Sequence, residues 1–216
     1  MPPSDTTEAP PLLAVKLGGS LWASPARAGW IAALRRYPGA LALVPGGGPF
    51  ADAVRAAQPG MGFSADAAHA MALLAMEQYA RALADLCEGL EVFETIEDMR
   101  AVHVRGAIAV WRPFPMVRAA QDIAANWEVT SDSLAAWLAR KTGASALLLV
   151  KSVDAPAGAD PVSRGVVDPA FTGYAAGLTV HVAGPAALAS AEAVLAGGGV
   201  PGTRFAFAPR QEMFAI

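Results

Sequence analysis

Short continuous apolar runs alternate along this chain with longer segments in which apolar and polar positions recur at helical spacing. Each run is bounded by glycine, proline or a polar residue, which is the pattern of a buried strand. The runs predict strands at 12–17, 41–44, 106–111, 146–150, 179–183 and 203–208, with a further strand beginning at 92–93. The segments between them predict helices at 25–36, 50–57, 65–89, 96–100, 131–142 and 185–195.

The order of these elements indicates the fold class. Continuous apolar strands that alternate with helices are typical of a parallel sheet covered on both faces. We therefore expect an α/β protein, a three-layer αβα sandwich around a mainly parallel central sheet. One stretch without either pattern, 152–169, is rich in alanine, glycine and proline. Loops of this length in compact domains are often functional.

Composition narrows the class of protein. The chain has 216 residues, 54% of them apolar and 16% charged, which suits one folded domain from residue 12 onward. The net charge of −3 favours neither a nucleic acid nor an anionic membrane as a partner. A single cysteine, no secretory signal pattern and no membrane-length apolar run indicate a reduced, cytoplasmic compartment. The polar, proline-rich segment 1–11 is predicted to be disordered.

Unusual chemistry follows three of the predicted strands, at the sheet edge where ligands of open α/β folds bind. The first strand leads into Gly18-Gly19-Ser20, the second into Gly46-Gly47-Gly48, and strand 146–150 into Lys151-Ser152-Val153-Asp154. Glycines between a strand and a helix let backbone N–H groups approach an anion. One glycine run alone is equally consistent with a tight turn, but two runs at parallel-strand ends favour an anion site. Neither run fits the GxGxxG dinucleotide motif or the GxxxxGK[ST] phosphate loop.

The three lysines are conspicuous because the chain otherwise uses arginine, of which it has thirteen. Lys141 lies in the last turn of a predicted helix, where a cation suits the helix dipole. Lys16 and Lys151 lie within or at the ends of apolar strands, where an ammonium group without a partner is costly. Two explanations are open. Either each aliphatic stem carries its charge to the surface, or both ammonium groups contact a transferring phosphoryl group.

Three further polar features remain open on the residues alone. His69 lies near the start of the long helix 65–89, and a lone histidine is more often a packed or surface residue than a functional one. Trp127 is consistent with the core or with the wall of an acceptor pocket. Thr130-Ser131-Asp132-Ser133 has the pattern of a helix N-cap, with Thr130 or Ser131 accepting the first N–H groups. Asp132 is then a carboxylate at the positive end of a helix.

Five segments, taken together and in order, resemble the amino acid kinase superfamily. They are VKLGGSL (15–21), VPGGGPFADAVR (44–55), TSDSLAA (130–136), LLLVKSVD (147–154) and PGT (201–203). Within the superfamily the chain is most similar to the [5-(aminomethyl)furan-3-yl]methyl phosphate kinases of methanofuran biosynthesis, through NWEVTSDSLA (126–135), AHAMALLAMEQYA (68–80) and VDPAF (167–171). That resemblance implies transfer of the γ-phosphoryl group of ATP to a small phosphomonoester, giving a diphosphate.

The resemblance also implies a role for each candidate residue. Lys16 bridges the transferring phosphoryl group, Lys151 supplies a second cation, and Asp132 orients the lysines rather than accepting a proton. The residues implied to bind the nucleotide are Gly18, Gly19, Ser20, Lys151, Ser152, Asp154 and Asp160. The residues implied to bind the acceptor are Gly46, Gly47, Gly48, His69, Trp127 and Thr130. An acceptor half at about 12–125, a nucleotide half at about 126–216 and a homodimer follow from the same resemblance.

Two departures from the family pattern leave alternatives open. The usual VDG after the nucleotide strand is VDA at 153–155, and FTGYAAG at 171–177 lacks the lysine that the family has in a corresponding motif. Lys151 or Arg164 is then the second cation, or activity is weak. Two other functions stay open: phosphorylation of a carboxylate or carbamate, and nucleotide or oxyanion binding without catalysis. No carboxylate cluster suits a metal, so Mg²⁺ is expected to arrive with ATP.

Overall fold

The computed structural model describes residues 11–158 and 160–207. Within this part of the chain, the strands are β1 Leu13–Leu17, β2 Leu41–Pro45, β3 Leu90–Phe93, β4 Ile108–Trp111, β5 Ala146–Val150, β6 Thr179–Ala183 and β7 Thr203–Ala206. The α-helices are α1 Ala26–Leu34, α2 Gly48–Met61, α3 Ala65–Leu86, α4 Ile96–Val104, α5 Phe114–Ala119, α6 Ser131–Thr142, α7 Phe171–Ala175 and α8 Pro185–Ala196. A short 3₁₀ helix, Gly19–Leu21, follows β1.

All these strands belong to one sheet with the order β3-β4-β2-β1-β5-β6-β7. Neighbouring strands are parallel except β7, which runs antiparallel to β6. The order places β1 at the centre, between β2 and β5, so the chain segments that follow these three strands emerge side by side. The predicted fold class, a three-layer α/β sandwich around a mainly parallel sheet, is confirmed.

The alternation of side chains along β1 shows how the two faces of the sheet are covered. Leu13, Val15 and Leu17 are fully buried in the core cluster that includes residues of α1 and α8. Ala14 lies in the opposite cluster, with the apolar residues of α6. Because successive side chains of a strand point to opposite faces, Lys16 shares the face of Ala14 and lies under α6. Each buried leucine or valine contributes roughly 1.5–3 kcal/mol of transfer free energy, so burial fixes this register.

Most predicted elements occur where the hydrophobic pattern placed them. The largest boundary errors are in α4, which was predicted at 96–100 but continues to Val104, and in α2. That helix was predicted at 50–57 but begins inside the glycine run at Gly48 and continues to Met61, ending at Gly62 in a left-handed conformation. Two helices, α5 and α7, were not predicted, because five or six residues are too few to show a helical period. Residues 1–10 of the segment predicted to be disordered, and the predicted end of β7 at Ala208, lie outside the described residues.

The stretch 152–169 is a loop, as predicted, since its described residues contain turns but neither helix nor strand. It leaves the sheet directly after β5 and returns to the body of the protein at Asp168. In residues 11–158 and 160–207, no helix combines the length and the apolar character needed to cross a membrane.

Candidate active site

Three charged side chains meet where β1 and β5 end. The two strands pair in register from Leu13 with Ala146 to Leu17 with Val150, so Lys151 follows β5 at the level of the turn after β1. The turn itself is tied to β5 by the N–H of Gly18, which donates to the carbonyl of Val150 at 2.9 Å. Asp132 lies in the first turn of α6, above the face of the sheet that carries Lys16.

The carboxylate of Asp132 joins both lysines. Its Oδ1 lies 2.9 Å from Lys16 Nζ, and its Oδ2 accepts a hydrogen bond from Lys151 Nζ at 2.6 Å. Asp132 is 4% exposed and Lys16 5% exposed, so this is a buried cluster with a formal charge of about +1. The structure therefore brings together the three residues that the sequence proposed for catalysis, and neither strand-end lysine carries its charge to open solvent.

The protonation states of this cluster follow from burial and proximity. Burial alone would raise the pKa of Asp132, but the adjacent ammonium groups of Lys16 and Lys151 outweigh it and hold the pKa below its ordinary value. Burial, together with the charge of Lys16, lowers the pKa of Lys151 to about 8, against the opposing attraction of Asp132. At neutral pH the carboxylate is therefore ionised. Lys151 is mostly charged, but its pKa of about 8 lies close to neutral pH.

The two glycine segments pack against each other beside this cluster. A Cβ atom on Gly19 would lie 2.6 Å from the backbone nitrogen of Gly48, and one on Gly46 would lie 2.3 Å from the nitrogen of Gly19. Gly48 also has a φ of +54°, a conformation that side chains disfavour. The sequence requires glycine here because two backbones touch. The segments also begin helices, so their first N–H groups have no partner within the helix.

A cavity of about 270 Å³ opens between these glycine segments and α3 and α6. Its walls include Gly19, Ser20, Gly47, Gly48, Asp52, Arg55, His69, Trp127 and Thr130. Two nucleotide candidates, Gly19 and Ser20, and two acceptor candidates, Gly47 and Gly48, therefore border one space, whereas Gly18 and Gly46 are not part of its walls. Backbone N–H groups at helix N-termini provide partial positive charge there, which suits an anionic ligand.

Trp127 forms a wall of this cavity rather than part of the core. Its Nε1–H donates to Gln58 Oε1 at 2.7 Å, and the guanidinium of Arg55 lies 4.4 Å from the ring centroid. Both partners belong to α2, so that helix holds the indole in place. The half-buried ring presents an aromatic surface to the cavity.

His69 is 7% exposed and lines the same cavity from α3. Burial, with a smaller contribution from Arg118, lowers the pKa of His69, and Asp66 opposes the change. The imidazole is therefore neutral at pH 7. It can donate one N–H to an anion without adding charge to the site.

The N-terminus of α6 differs from its predicted form. Helix α6 begins after Thr130, as expected, but the Thr130 side chain makes no capping hydrogen bond. Thr130 Oγ1 instead donates to Asp168 Oδ2 at 2.8 Å. Asp168 Oδ2 also accepts the backbone N–H of Ser133, at 3.0 Å. The prediction that Thr130 or Ser131 caps the helix is thus wrong, because a carboxylate from a distant loop takes that role.

The nucleotide candidates of the β5 segment have different surroundings. Ser152 Oγ accepts a hydrogen bond from Ser20 Oγ at 3.0 Å, which links the turns after β1 and β5. Asp154 Oδ1 accepts the N–H of Ala186 at 3.1 Å and so caps α8. Asp160 lies exposed on the loop and accepts the backbone N–H groups of Ser163 and Val162, which lower its pKa. The roles of Ser152, Asp154 and Asp160 toward a nucleotide remain predictions.

Of the two proposed second cations, the described structure places Lys151 against Asp132, whereas Arg164 is exposed on the 152–169 loop. The sequence reading missed Asp52 and Arg55 as cavity residues, and Asp168 as the cap. Asp168 lay within the VDPAF segment, and a carboxylate ahead of a short helix was the available signal. No group of three His, Cys, Asp or Glu side chains suited to a metal occurs within residues 11–158 and 160–207.

Comparison with known proteins places this site in a family. Residues 11–162 match the family model described as the amino acid kinase family. Over 146 residues the chain is 25% identical to the [5-(aminomethyl)furan-3-yl]methyl phosphate kinase of Methanocaldococcus jannaschii, a match that spans 65% of this chain and 65% of that protein. The uridylate kinase of Archaeoglobus fulgidus superposes with a TM-score of 0.60 at 16% identity, over 90% of this chain and 99% of that one, which shows a shared fold. The resemblance found in the motifs is confirmed, and the chain belongs to the amino acid kinase family.

Proposed function

We propose that this protein transfers the γ-phosphoryl group of ATP to [5-(aminomethyl)furan-3-yl]methyl phosphate, making a diphosphate in the synthesis of a methanofuran-type cofactor. The observation that carries the proposal is the buried carboxylate of Asp132, which joins Lys16 and Lys151. This cluster lies beside two glycine segments that themselves line the cavity. The family and both relatives are kinases by name, which supports phosphoryl transfer. The Methanocaldococcus relative supports the choice of acceptor.

The proposed reaction needs charge neutralisation more than acid–base chemistry. An oxygen of the acceptor phosphate attacks the γ-phosphorus, the bond from that phosphorus to the β–γ bridging oxygen breaks, and ADP leaves. The acceptor phosphate is already an anion at neutral pH, so the attack requires no proton removal. The protein must bring two anions together and stabilise charge that spreads over the transferring group. Two ammonium groups and the backbone N–H groups of the glycine segments are suited to that task.

The state of Asp132 supports an acceptor that carries its own negative charge. Its two oxygens contact Lys16 and Lys151, and its pKa is lowered, so it is a poor proton acceptor. His69 lines the cavity and also has a lowered pKa, so it is neutral and acts as a hydrogen-bond donor in this proposal. An alcohol acceptor would need a base to remove its proton. A phosphate or carboxylate acceptor needs none.

The cavity suits a flat, amine-bearing phosphomonoester. The N–H groups of Gly47 and Gly48 offer a place for the acceptor phosphate, and His69 a further donor. The Trp127 ring provides a surface for a furan ring. Asp52, a carboxylate that lines the same cavity, gives the aminomethyl ammonium group a partner.

On the nucleotide side, the proposal assigns the phosphates of ATP to Gly18, Gly19 and Ser20, with Lys151 and Ser152 across the turn. Mg²⁺ bound to the phosphates of ATP would neutralise part of their charge. Lys16 and Lys151 then supply the cations that belong to the protein itself.

The test is ADP release by the purified protein with ATP and Mg²⁺, across phosphomonoesters and acidic metabolites. We expect turnover with [5-(aminomethyl)furan-3-yl]methyl phosphate and its loss in Lys16→Ala. Lys141→Ala is the matched control, since Lys141 is an exposed lysine that pairs with Asp122 on the surface. Intact turnover in Lys16→Ala would refute the mechanism.

Three other outcomes would change the assignment. Products that react with hydroxylamine would indicate an acyl phosphate and hence a carboxylate or carbamate acceptor. ATP binding in a calorimeter, without turnover on any acceptor in the screen, would indicate a binding protein that keeps the kinase fold. Turnover of a phosphomonoester other than the furan would retain the reaction class and change only the acceptor.

We also propose that the protein acts in the cytoplasm as a homodimer formed through helices of the acceptor half. Helix α3 exposes Met71 and Leu74, at 39% and 43%, which provides an apolar surface for such a contact. Light scattering of the purified chain measures the mass, and a monomer at working concentration would contradict the dimer. Cell fractionation tests the location.

A further inference from the structure

One buried carboxylate, Asp168, is not used by the reaction described above. It lies near the end of the loop 152–169, is 7% exposed, and faces the first turn of α6. Its Oδ2 accepts hydrogen bonds from Thr130 N at 3.0 Å, Thr130 Oγ1 at 2.8 Å and Ser133 N at 3.0 Å. Its Oδ1 accepts a hydrogen bond from Ser133 Oγ. Four donors on two residues therefore converge on a single side chain.

The carboxylate of Asp168 accepts four hydrogen bonds and makes no ion pair in the described part of the chain. A buried carboxylate is costly unless donors surround it, and here the donors include two backbone N–H groups at the positive end of a helix. Those donors lie at the N-cap residue and at the third helical residue, which are the positions that a capping side chain normally serves. The four contacts restrict both rotation and translation of the first helical turn.

Asp132 lies between these two anchored residues. Its neighbours in sequence, Ser131 and Ser133, and the N-cap Thr130 form the same turn, so any movement of that turn moves its carboxylate. The contacts of Asp132 with the two lysines, at 2.9 Å and 2.6 Å, leave little room for such movement. A misplacement of about 1 Å can lower a catalytic rate by about a hundredfold.

The first turn of α6 is contacted by residues at both ends of the loop 152–169. Lys151, the residue just before the loop, contacts Asp132, and Asp168, near the end of the loop, holds Thr130 and Ser133. The backbone N–H of Ala170 adds a contact with the carbonyl of Glu128, at 3.3 Å. The loop that carries the nucleotide candidates is therefore fastened to the helical turn that carries Asp132.

We propose that Asp168 is a positioning residue, which fixes the first turn of α6 so that Asp132 holds Lys16 and Lys151 together. Its kinetic consequence rests on the proposed kinase function, whereas its effect on the lysines does not. Both effects are measurable in the full chain. Because the chain has three lysines, labelling lysine with ¹³C at Cε gives a spectrum in which the titration of Lys151 can be followed directly.

The test compares Asp168→Asn with Asp98→Asn. Asp98 is the matched control because it belongs to a capping box with Thr95 at the start of α4, where its carboxylate accepts the backbone N–H of Thr95. Asp98→Asn therefore also removes the charge of a carboxylate at a helix N-terminus. In Asp168→Asn we expect the pKa of Lys151 to fall, because Asp132, which raises that pKa, is no longer held against it. We expect kcat to fall by about a hundredfold, with smaller changes in KM. Asp98→Asn should lower the thermal stability and change neither readout.

An unchanged titration of Lys151 in folded Asp168→Asn would overturn the proposal and leave Asp168 as a helix cap. If Asp168→Asn does not fold, Ser133→Ala removes one of the four donors, and the same shift of the Lys151 titration is expected at smaller size. A wild-type chain without kinase activity would refute the proposed function, while the lysine titration would still decide the role of Asp168.

Discussion

Replacing Asp132 with asparagine tests the role of the carboxylate at the centre of the site. Asparagine keeps the size of the side chain and removes its charge, so Lys16 and Lys151 would remain buried beside each other without a carboxylate. The amide oxygen can accept from one ammonium group, but the amide N–H₂ faces the other. The perturbation is therefore almost purely electrostatic.

The magnitude follows from the contact distances of 2.9 Å and 2.6 Å. Unit charges about 4 Å apart interact by about 4 kcal/mol at an effective dielectric constant of about 20, and one pKa unit corresponds to about 1.4 kcal/mol. The pKa of Lys151, about 8 with the carboxylate in place, therefore falls below neutrality in the variant. Lys151 loses its charge at pH 7, and the transition state loses a cation. Removal of one such group lowers kcat by about 10²–10³-fold.

The assay is ADP release at a series of pH values on both sides of neutrality, with circular dichroism as the check on folding. The fold should persist, because Lys151 can release its proton rather than remain as an unpaired buried charge. We expect the activity that remains to decline at a lower pH than in the wild type. An Asp132→Asn protein that keeps most of the wild-type kcat at neutral pH would refute the reasoning, as would an unchanged alkaline limit.

Three further predictions use the same structure. Wild-type kcat should fall as the pH rises through about 8, because a lysine is charged only below its pKa and burial lowers that of Lys151 to about 8; a kcat that stays constant to pH 10 would contradict this assignment. Gly46→Ala should weaken binding of ATP and acceptor in a calorimeter, because its Cβ would lie 2.3 Å from the backbone nitrogen of the facing glycine segment, and unchanged affinity for both would show that the segments do not bind them. Thr130→Val should lower the free energy of unfolding by about 1 kcal/mol, because it removes one hydrogen bond to Asp168 while the cap at Ser133 remains. Urea unfolding measures that change, and a loss several times larger would indicate that Thr130 itself caps the helix.

The fold was predictable because its central strands, β1, β2, β4 and β5, are buried on both faces. Apolar runs such as Leu147–Leu149 have no exposed position, and this continuity distinguishes a central parallel strand from the alternating pattern of a half-exposed one. The start of α2 was not predictable in the same way. Glycine is a poor helix former. Its presence at Gly48 is explained by a φ of +54°, which side chains disfavour, and by the backbone of Gly19, which lies close to it in three dimensions.

The site residues that could be predicted are those whose chemistry is unusual for the predicted element in which they lie. Lys16 and Lys151 were identified because a charge in an apolar strand demands a partner, and strand order then places both near Asp132. Arg55 and Asp168 are not unusual in this way, because arginine is common on amphipathic helices and aspartate is common in loops. Their importance depends on contacts across the fold, such as the 35 residues that separate Asp168 from Ser133. A single sequence does not contain that pairing.

The hydrogen bonds at the start of α6 explain how one turn serves both the helix and the site. Had Thr130 capped the helix with its own side chain, its hydroxyl would point back along the turn, and the helix end would have no tie to the 152–169 loop. Asp168 instead satisfies the N–H of Ser133 from outside the helix, which also accounts for the full burial of Ser133. The side chain of Asp132 is then free of capping and reaches the lysines with both oxygens. Asp168 therefore caps the helix, and Asp132 contacts the lysines. The function of Asp132 depends on the position that Asp168 maintains.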